Sequence, residues 1–307
     1  MKKVKVRVPA TTANLGPGFD ILGASLSMYN EVEITPAKNS SGKFTILGEG
    51  KTILPKNEKN ILWKAMDAVF GLLDIRDKYK LSDFNIKLKN DIPLSSGLGS
   101  SSAARAAGIM AANEICGNKL SIGEMVDLGI RLESHPDNIV PAFYGGICIS
   151  VQGPGNEFFV EKLPVAKKMK VVVCTPGFEL ATERSRNILP LKYDRKDVVF
   201  NCSRIALLTK AFCTNDFSNL SKAMQDKLHQ PYRAKLIPVM EEIIEAAEKA
   251  GAYGACLSGS GPSMVAFCGD KKTKEVLAVM TKIWKKETVP VKQFILDFES
   301  NGAKIIK

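Results

Sequence analysis

The chain has 307 residues, enough for one large or two modest domains with a sizeable core. Its 45% hydrophobic and 24% charged content is ordinary for a soluble globular protein, and no apolar run is long enough to cross a membrane. The net charge of +11 raises nucleic-acid binding, but the lysines are dispersed, clusters such as Lys167-Lys168 and Lys285-Lys286 are short, and aromatics do not interleave with them. A solvated basic surface that also attracts anionic substrates is the better reading, with a basic nucleic-acid-binding α/β protein as the remote alternative.

Val4–Val8 alternates charged and apolar residues and predicts an edge-like strand with one wet face, not a signal peptide; the expected compartment is the cytoplasm. A Gly-rich, turn-like stretch at 14–22 follows, then strands at 31–35 and 44–47. Residues 60–73 carry Ile61, Ala65, Ala68, Val69 and Leu72 at helical spacing. A strand over 84–88 leads through Asp91-Ile92-Pro93 into a serine-rich run and a helix from about Ser101 to Cys116, stopped by Gly117-Asn118. Ser121-Ile122-Gly123-Glu124 is a capping box opening a helix to about Leu132, and a strand returns over 145–151. Gln152-Gly153-Pro154-Gly155-Asn156 punctuates strongly and marks a boundary region. Beyond it come a buried-type strand at 171–174 and helices over 198–213 and 237–250. A hairpin joins 255–257 to 264–267, followed by a helix over 272–284 and a strand over 291–296. Mixed α and β in both halves predicts two α+β units with a ligand cleft between them.

The seven cysteines are scattered without a Cys-x-x-Cys pair, and there are two histidines. Reduced core thiols fit this better than disulfides or a zinc cluster.

The strongest chemical signal is Pro93-Leu94-Ser95-Ser96-Gly97-Leu98-Gly99-Ser100-Ser101-Ser102-Ala103. It packs two glycines and five serines into eleven residues and runs into Ala104-Arg105-Ala106-Ala107. Glycine lets backbone approach a phosphate, free amides at a helix start point at the anion, and hydroxyls add donors. A passive Gly/Ser linker is the competing reading, but a linker is not expected to enter a strong helix. The P-loop lysine and the third Rossmann glycine are both absent.

Five further segments stand out. Pro9–Asp20 is polar, Gly-rich and ends in a carboxylate. Glu133-Ser134-His135-Pro136-Asp137-Asn138 gathers acid, imidazole and amide at a helix end before a proline stop; a single carboxylate such as Glu133 can hold Mg²⁺ beside phosphate oxygens. Thr182-Glu183-Arg184-Ser185-Arg186 and Pro231-Tyr232-Arg233 supply arginines that can grip a carboxylate with paired bonds. Ser258-Gly259-Ser260-Gly261-Pro262-Ser263 is a second Gly/Ser turn. Taken singly, each has a bland reading as a turn, a satisfied histidine or a solvated arginine.

In this order the segments resemble the GHMP small-molecule kinases (galactokinase, homoserine kinase, mevalonate kinase and phosphomevalonate kinase), over nearly the whole chain from Val4 to about Phe267. The 14–20 segment, His135-Pro136-Asp137-Asn138 and the Thr182/Arg186 pair resemble the homoserine kinase group within it. Another GHMP kinase, of the mevalonate or diphosphocytidyl-methylerythritol type, is the alternative.

The resemblance implies an α+β fold of two domains. A ribosomal-protein-S5-domain-2-like ATP-binding domain is expected over 1–160 and a ferredoxin-like α/β domain over 161–307, with the active site between them. It implies ATP-dependent phosphorylation of the L-homoserine side-chain hydroxyl on the way to threonine, with small molecules as partners, no nucleic acid or membrane, and a homodimer left open. Residues Pro93 to Ala103 would wrap the ATP phosphates, and Glu133 with Ser100 would hold Mg²⁺. Asn14, Asp20, His135 and Asn138 would line the substrate pocket, Arg186 and Arg233 would clamp the α-carboxylate, and Gly259 would bring its backbone close. Thr182 would sit near the transferred phosphate. Asp20 suits the substrate ammonium or, by analogy with mevalonate-type kinases, a general base; Asn138 would polarise the hydroxyl. The family pattern has glycine where Ser134 stands, and a serine fits without strain only if the backbone there holds a negative φ.

Overall fold

The computed structural model describes residues 2–155, 157–165 and 168–306. Met1, Asn156, Lys167 and Lys307, which the sequence expectations touch, lie outside them. The first part of the chain forms β1 (Val4–Ala13), β2 (Leu22–Pro36), β3 (Phe44–Gly48), α1 (Ile61–Leu72), β4 (Phe84–Asn90), α2 (Ser100–Ile115), α3 (Ile122–Glu133), α4 (Pro136–Tyr144), β5 (Ile147–Gln152) and β6 (Phe158–Leu163). The second part forms β7 (Met169–Pro176), α5 (Thr182–Asn187), α6 (Arg195–Thr214), α7 (Leu220–Ala223), α8 (Gln230–Arg233), α9 (Met240–Lys249), β8 (Gly254–Leu257), β9 (Met264–Gly269), α10 (Thr273–Lys286), β10 (Val291–Asp297) and β11 (Lys304–Ile305). Among the described residues, no helix is long and apolar enough to cross a membrane.

The first sheet has the order β11-β1-β2-β4-β3, with β5 beside the start of β2 and β6 beside β5. Its pairings are antiparallel except β3 with β4. The second sheet runs β10-β7-β9-β8, all antiparallel. With helices between β7 and β8 and between β9 and β10, this is the split βαβ arrangement of a ferredoxin-like domain. The chain stays in the first sheet through Leu163 and returns to it with β11.

The second sheet shows why residues 171–174 read as an unbroken apolar run. Strand side chains alternate between faces. Val171, Val173, Cys256, Val265 and Phe267 belong to the large core shared with the first sheet and α2. Val172, Cys174, Leu257, Met264 and Ala266 belong to a second core under α9 and α10. Both faces are dry, so no polar residue interrupts the strand.

Three local expectations change. Residues 9–13 are not part of the polar loop but continue β1 after a register shift between Pro9 and Ala10. Proline is tolerated at such an irregularity, and the fully buried, β-branched Thr11 and Thr12 favour extended backbone. Nor is β1 an edge over its whole length, because β11 pairs with Val6 and Arg7. Pro136 is not a stop but the first residue of α4, where its missing N–H costs nothing. The short α5, α7 and α8 escape sequence reading because they are too brief to show a period.

Candidate active site

The serine-rich run connects β4 to α2 through backbone that only glycine supplies. Gly97 has φ +81° and Gly99 φ +69°. A Cβ on Gly97 would lie 2.1 Å from Ser258 O, and one on Gly99 1.9 Å from Thr11 Oγ1. The run is thus pressed between β1 and the turn joining β8 to β9. Thr11 N–H donates to Leu98 O at 3.1 Å and Ser263 N–H to Ser96 O at 3.0 Å, while the Ser258 hydroxyl donates to Gly97 O at 2.7 Å. The second Gly/Ser turn therefore buttresses the first. The bond from Ala103 N–H to Gly99 O, 2.8 Å, opens the α2 ladder. The amides of Ser100, Ser101 and Ser102 stand at the helix mouth, where the dipole favours an anion.

A chain of polar groups crosses the cleft beside this mouth. Arg105, one turn along α2, bonds both the Ser101 hydroxyl and Glu133 Oε2, the latter at 2.5 Å. Glu133 Oε1 lies 3.9 Å from His135 Nε2, and His135 Nδ1 lies 2.9 Å from Asp137 Oδ1. Asn138 Nδ2 reaches the same Asp137 oxygen at 3.4 Å, and Thr11 Oγ1 donates to Asn138 Oδ1 at 2.7 Å. Burial acts to depress the His135 pKa, but the Asp137 bond and the carboxylate charges outweigh it, and the imidazole is held above its ordinary value. Between Glu133 and His135 the backbone turns through Ser134 at φ +74°. The position does need the left-handed conformation, and this chain meets it with a serine at a cost of about 1 kcal/mol.

Charged groups face this chain from the other side. Asp20 accepts two bonds from Arg186, from Nη1 at 3.0 Å and Nη2 at 2.5 Å. Arg233 is 1% exposed and, among the described residues, bonds only neutral acceptors. Its Nε donates to Ser185 O at 3.3 Å, and its Nη1 to Gly259 O at 2.9 Å and to His229 Nδ1 at 3.1 Å. Burial and the nearby Arg186 charge pull its pKa down to about 10. For Arg186, burial pulls the same way but the Asp20 carboxylate prevails, and the pKa is raised.

One cleft gathers Asn14, Ser95 through Ser102, Glu133, His135, Asn138, Thr182, Arg186, Arg233 and Gly259, all expected from the sequence. It also takes in Asp137 and Ser260, which were not. Asp20 enters through its pairing with Arg186. Pro93 and Ala103 do not line the cleft: Pro93 O accepts from the Ser96 hydroxyl at 2.8 Å, and Ala103 is fully buried. Gly259 has both peptide groups engaged. Its N–H donates to Ala13 O at 3.1 Å, and its carbonyl accepts from Asn14 and Arg233. It shapes the cleft wall and has no donor left to offer. Asn14 spends one amide hydrogen on Gly259 O and accepts from Asp20 N–H at 3.1 Å through Oδ1, which leaves its second amide hydrogen toward the cleft it lines.

A second cavity of about 460 Å³ opens on the far side of the serine-rich run. Ile53, Leu54, Pro55, Leu88 and Leu94 give it apolar walls, and it shares Ser95, Ser100 and Ser101 with the cleft. Asn90, 2% exposed, lines it and carries a carboxamide oxygen without a hydrogen-bond partner. Nothing in the local sequence marks this cavity, because its walls come from four separate segments. As for metals, among the described residues no group of three or more His, Cys, Asp or Glu side chains is placed to hold an ion by itself. Glu133 with serine hydroxyls is a sparse set of hard oxygen donors. Such a set suits an ion that arrives with phosphates and keeps its water, as Mg²⁺ does.

Residues 60–146 match the model of the GHMP kinases N terminal domain, and residues 208–286 the model of the GHMP kinases C terminal domain. Fold, serine-rich run and these matches together define a GHMP kinase, a class that uses ATP as phosphate donor. The chain is 44% identical over 269 residues to the homoserine kinase of Moorella thermoacetica, covering 88% of each. It is 37% identical over 303 residues to that of Desulfitobacterium hafniense, covering 99% of this chain and 100% of the relative. The crystal structure of homoserine kinase from Cytophaga hutchinsonii superposes with a TM-score of 0.87 at 29% identity, covering 100% of this chain and 98% of that one. The chain belongs to the homoserine kinase family.

Proposed function

We propose that the protein transfers the γ-phosphoryl group of ATP to the side-chain hydroxyl of L-homoserine, giving O-phospho-L-homoserine and ADP. The observation that carries this reading is the charge set opposite the serine-rich run. Asp20 offers one carboxylate, Arg186 pairs with it, and Arg233 adds a buried guanidinium that, among the described residues, bonds only neutral acceptors. A zwitterionic amino acid is complementary to that set, with its ammonium on Asp20 and its carboxylate on Arg186 and Arg233. Mevalonate has no ammonium group for Asp20.

The ATP phosphates lie on the amides of Ser100, Ser101 and Ser102 at the α2 mouth. The adenine occupies the apolar cavity beside it, where the unpartnered Asn90 oxygen can accept from an amino group. Glu133, with the Ser100 hydroxyl, would hold Mg²⁺, which when bound neutralises phosphate charge. Asn138 lies against the phosphate loop, since a Cβ on Gly99 would come 3.2 Å from its Oδ1. Its carboxamide therefore orients the substrate hydroxyl toward the γ-phosphorus. The hydroxyl oxygen forms the new P–O bond, the bond to the ADP oxygen breaks, and the hydroxyl proton leaves to phosphate oxygen or solvent. Asp20, tied to Arg186, anchors the ammonium and does not act as base. Thr182, whose hydroxyl lies 3.3 Å from that of Ser260, stands at the rim near the transferred group. Gly259 and Asn14 support these groups without touching the reaction.

We take the division between the domains after Leu163, because the expected 160/161 boundary cuts β6, which pairs with β5 through Leu163. The ferredoxin-like order of β7 through β10 supports it, and the return of β11 then ties the C-terminal end to the first domain. Four buried free thiols, with burial pushing Cys148 up to about 12 and Cys174 to about 11, suit a reducing cytoplasm. A coupled ADP-release assay with homoserine, serine, threonine and mevalonate tests the proposal. Turnover with homoserine well above the others is expected. Phosphorylation of mevalonate without homoserine turnover overturns it.

A further inference from the structure

His229 has no part in the transfer just described, yet it is fully buried between two elements of the substrate site. Its Nδ1 lies 3.1 Å from Arg233 Nη1 and its Nε2 lies 2.7 Å from Gly16 O. Arginine only donates, so Nδ1 must accept, and the proton must sit on Nε2 and point at the Gly16 carbonyl. A single neutral tautomer satisfies both contacts.

The ring is itself well held. It stacks on Phe19 at 5.4 Å, and the guanidinium groups of Arg233 and Arg186 lie over the same phenyl ring, each at 5.4 Å. The buried Asp226 carboxylate accepts from the amides of Leu228, His229 and Gln230 at 2.9, 2.8 and 2.6 Å, fixing the start of α8. Asn201 donates both to Asp226 at 2.7 Å and to Pro17 O at 3.2 Å. The second domain thus grips the loop that carries Asn14, Phe19 and Asp20.

Arg233 has five N–H donors. Nε uses one on Ser185 O, and Nη1 uses two, on Gly259 O and His229 Nδ1. All three acceptors are neutral, so the positive charge is not spent, and among the described residues neither Nη2 hydrogen has an acceptor, which leaves both for a ligand in the cleft that Arg233 lines. Removing the imidazole acceptor frees a hydrogen of Nη1 and lets the guanidinium turn.

We propose that His229 is the positioning residue of Arg233. The neutral imidazole fixes the rotation of the guanidinium so that Nη2 meets the substrate carboxylate. The same ring ties that arginine to Gly16, so the carboxylate and ammonium contacts hold a constant separation. This inference rests on the reading of Arg233 as the carboxylate partner.

The test compares L-homoserine with L-homoserine amide, in which the carboxylate is replaced by a neutral group. The ratio of their kcat/KM values is measured in the unaltered enzyme and in Arg233→Met, His229→Leu and His229→Gln, with thermal melts to confirm folding. His229→Leu is expected to reduce the preference for the acid roughly 10- to 100-fold, the worth of a charged hydrogen bond. The loss should appear in KM for homoserine, with the amide little affected. His229→Gln can accept from Arg233 and donate to Gly16 O, and should recover part of the preference. An equal fall for both substrates is what a merely structural histidine would give, and overturns the inference. If Arg233→Met leaves the preference intact, the carboxylate reading fails and this inference with it. If Arg233→Met loses the preference and His229→Leu keeps it, only the role of His229 is overturned. Should the leucine variant not fold, His229→Asn replaces it, since its shorter amide cannot span both partners.

Discussion

Arg186 and Asp20, 166 positions apart in the chain, meet as a two-bond ion pair in the cleft. Each side chain is 32% exposed. Pairs this open contribute about 0–1 kcal/mol to stability, so little is lost in parting them. The geometry is that of the two ends of an amino acid. A zwitterion entering the cleft exchanges each partner for one of its own sign.

Asp20→Asn separates an anchor from a base. Asp20 sits at φ +58°, which asparagine also tolerates, so the loop should survive the change. Loss of the ammonium contact should raise KM for homoserine about 10- to 100-fold and change kcat by only a few-fold. Steady-state kinetics with ATP saturating provides the measurement. A collapse of kcat at unchanged KM would identify Asp20 as a base.

Ser134→Gly removes a built-in strain. Ser134 caps α3 in the left-handed region, with its N–H donating to Ile130 O at 2.7 Å. Glycine should stabilise the protein by about 1 kcal/mol, a rise in Tm of about 2 °C. Glu133 and His135 keep their backbone directions, so activity should hold. A fall in Tm would show that the serine makes a compensating contact.

What was legible in the sequence was local. The helix start after the serine-rich run, the Ser121 capping box and the helix over 237–250 rest on signals within a few residues of themselves. The pairings that make a site are not local. Thr11 and Asn138 are 127 positions apart and Arg105 and Glu133 are 28 apart, and no periodicity encodes them. Nothing in the local sequence assigns a role to Arg105, which stands in the alanine-rich run after the loop, or to His229. Resemblance to a family recovered many cleft residues, because a motif carries long-range contacts that spacing cannot. It also named Pro93 and Ala103, which do not line the cleft, since a motif records neighbours as readily as contacts. The second cavity stayed hidden because its apolar walls, from residues 53–61 and 88–104, look like ordinary core.

The two histidines should act on stability with opposite signs. The folded chain keeps His229 neutral, as burial and the Arg233 charge hold its pKa down despite Asp226. The unfolded chain protonates it near pH 6.5 and so binds more protons below that pH. Its contribution to stability is therefore lost as pH falls, with a slope of at most about 1.4 kcal/mol per pH unit. His135, raised above its ordinary value, contributes stability that is present at acid pH and lost as pH rises through its folded pKa. Melting curves from pH 7.5 to 5.5 test this without substrate. The Tm gap between the unaltered protein and His229→Gln should narrow as pH falls, and the gap to His135→Gln should widen. A constant gap for His229→Gln would mean that folding does not change the ring's protonation, and a widening gap that the buried ring is held charged.

Arg105 and Glu133 set the terms on which a divalent ion enters. The Glu133 carboxylate is already neutralised by a guanidinium at 2.5 Å that also holds the Ser101 hydroxyl. A metal ion approaching with nucleotide must displace that cation or share the carboxylate with it, and like charges at such range repel. Arg105→Ala should therefore lower the Mg²⁺ concentration needed for half-maximal ADP binding several-fold, read by calorimetric ADP titrations at a series of Mg²⁺ concentrations. Glu133→Gln should raise it by about tenfold or more, since the amide offers no charge to the ion. The two variants pull in opposite directions, which a general weakening of the α2 mouth cannot do. If both raise the requirement, Arg105 serves the phosphates directly and the competition argued here does not operate.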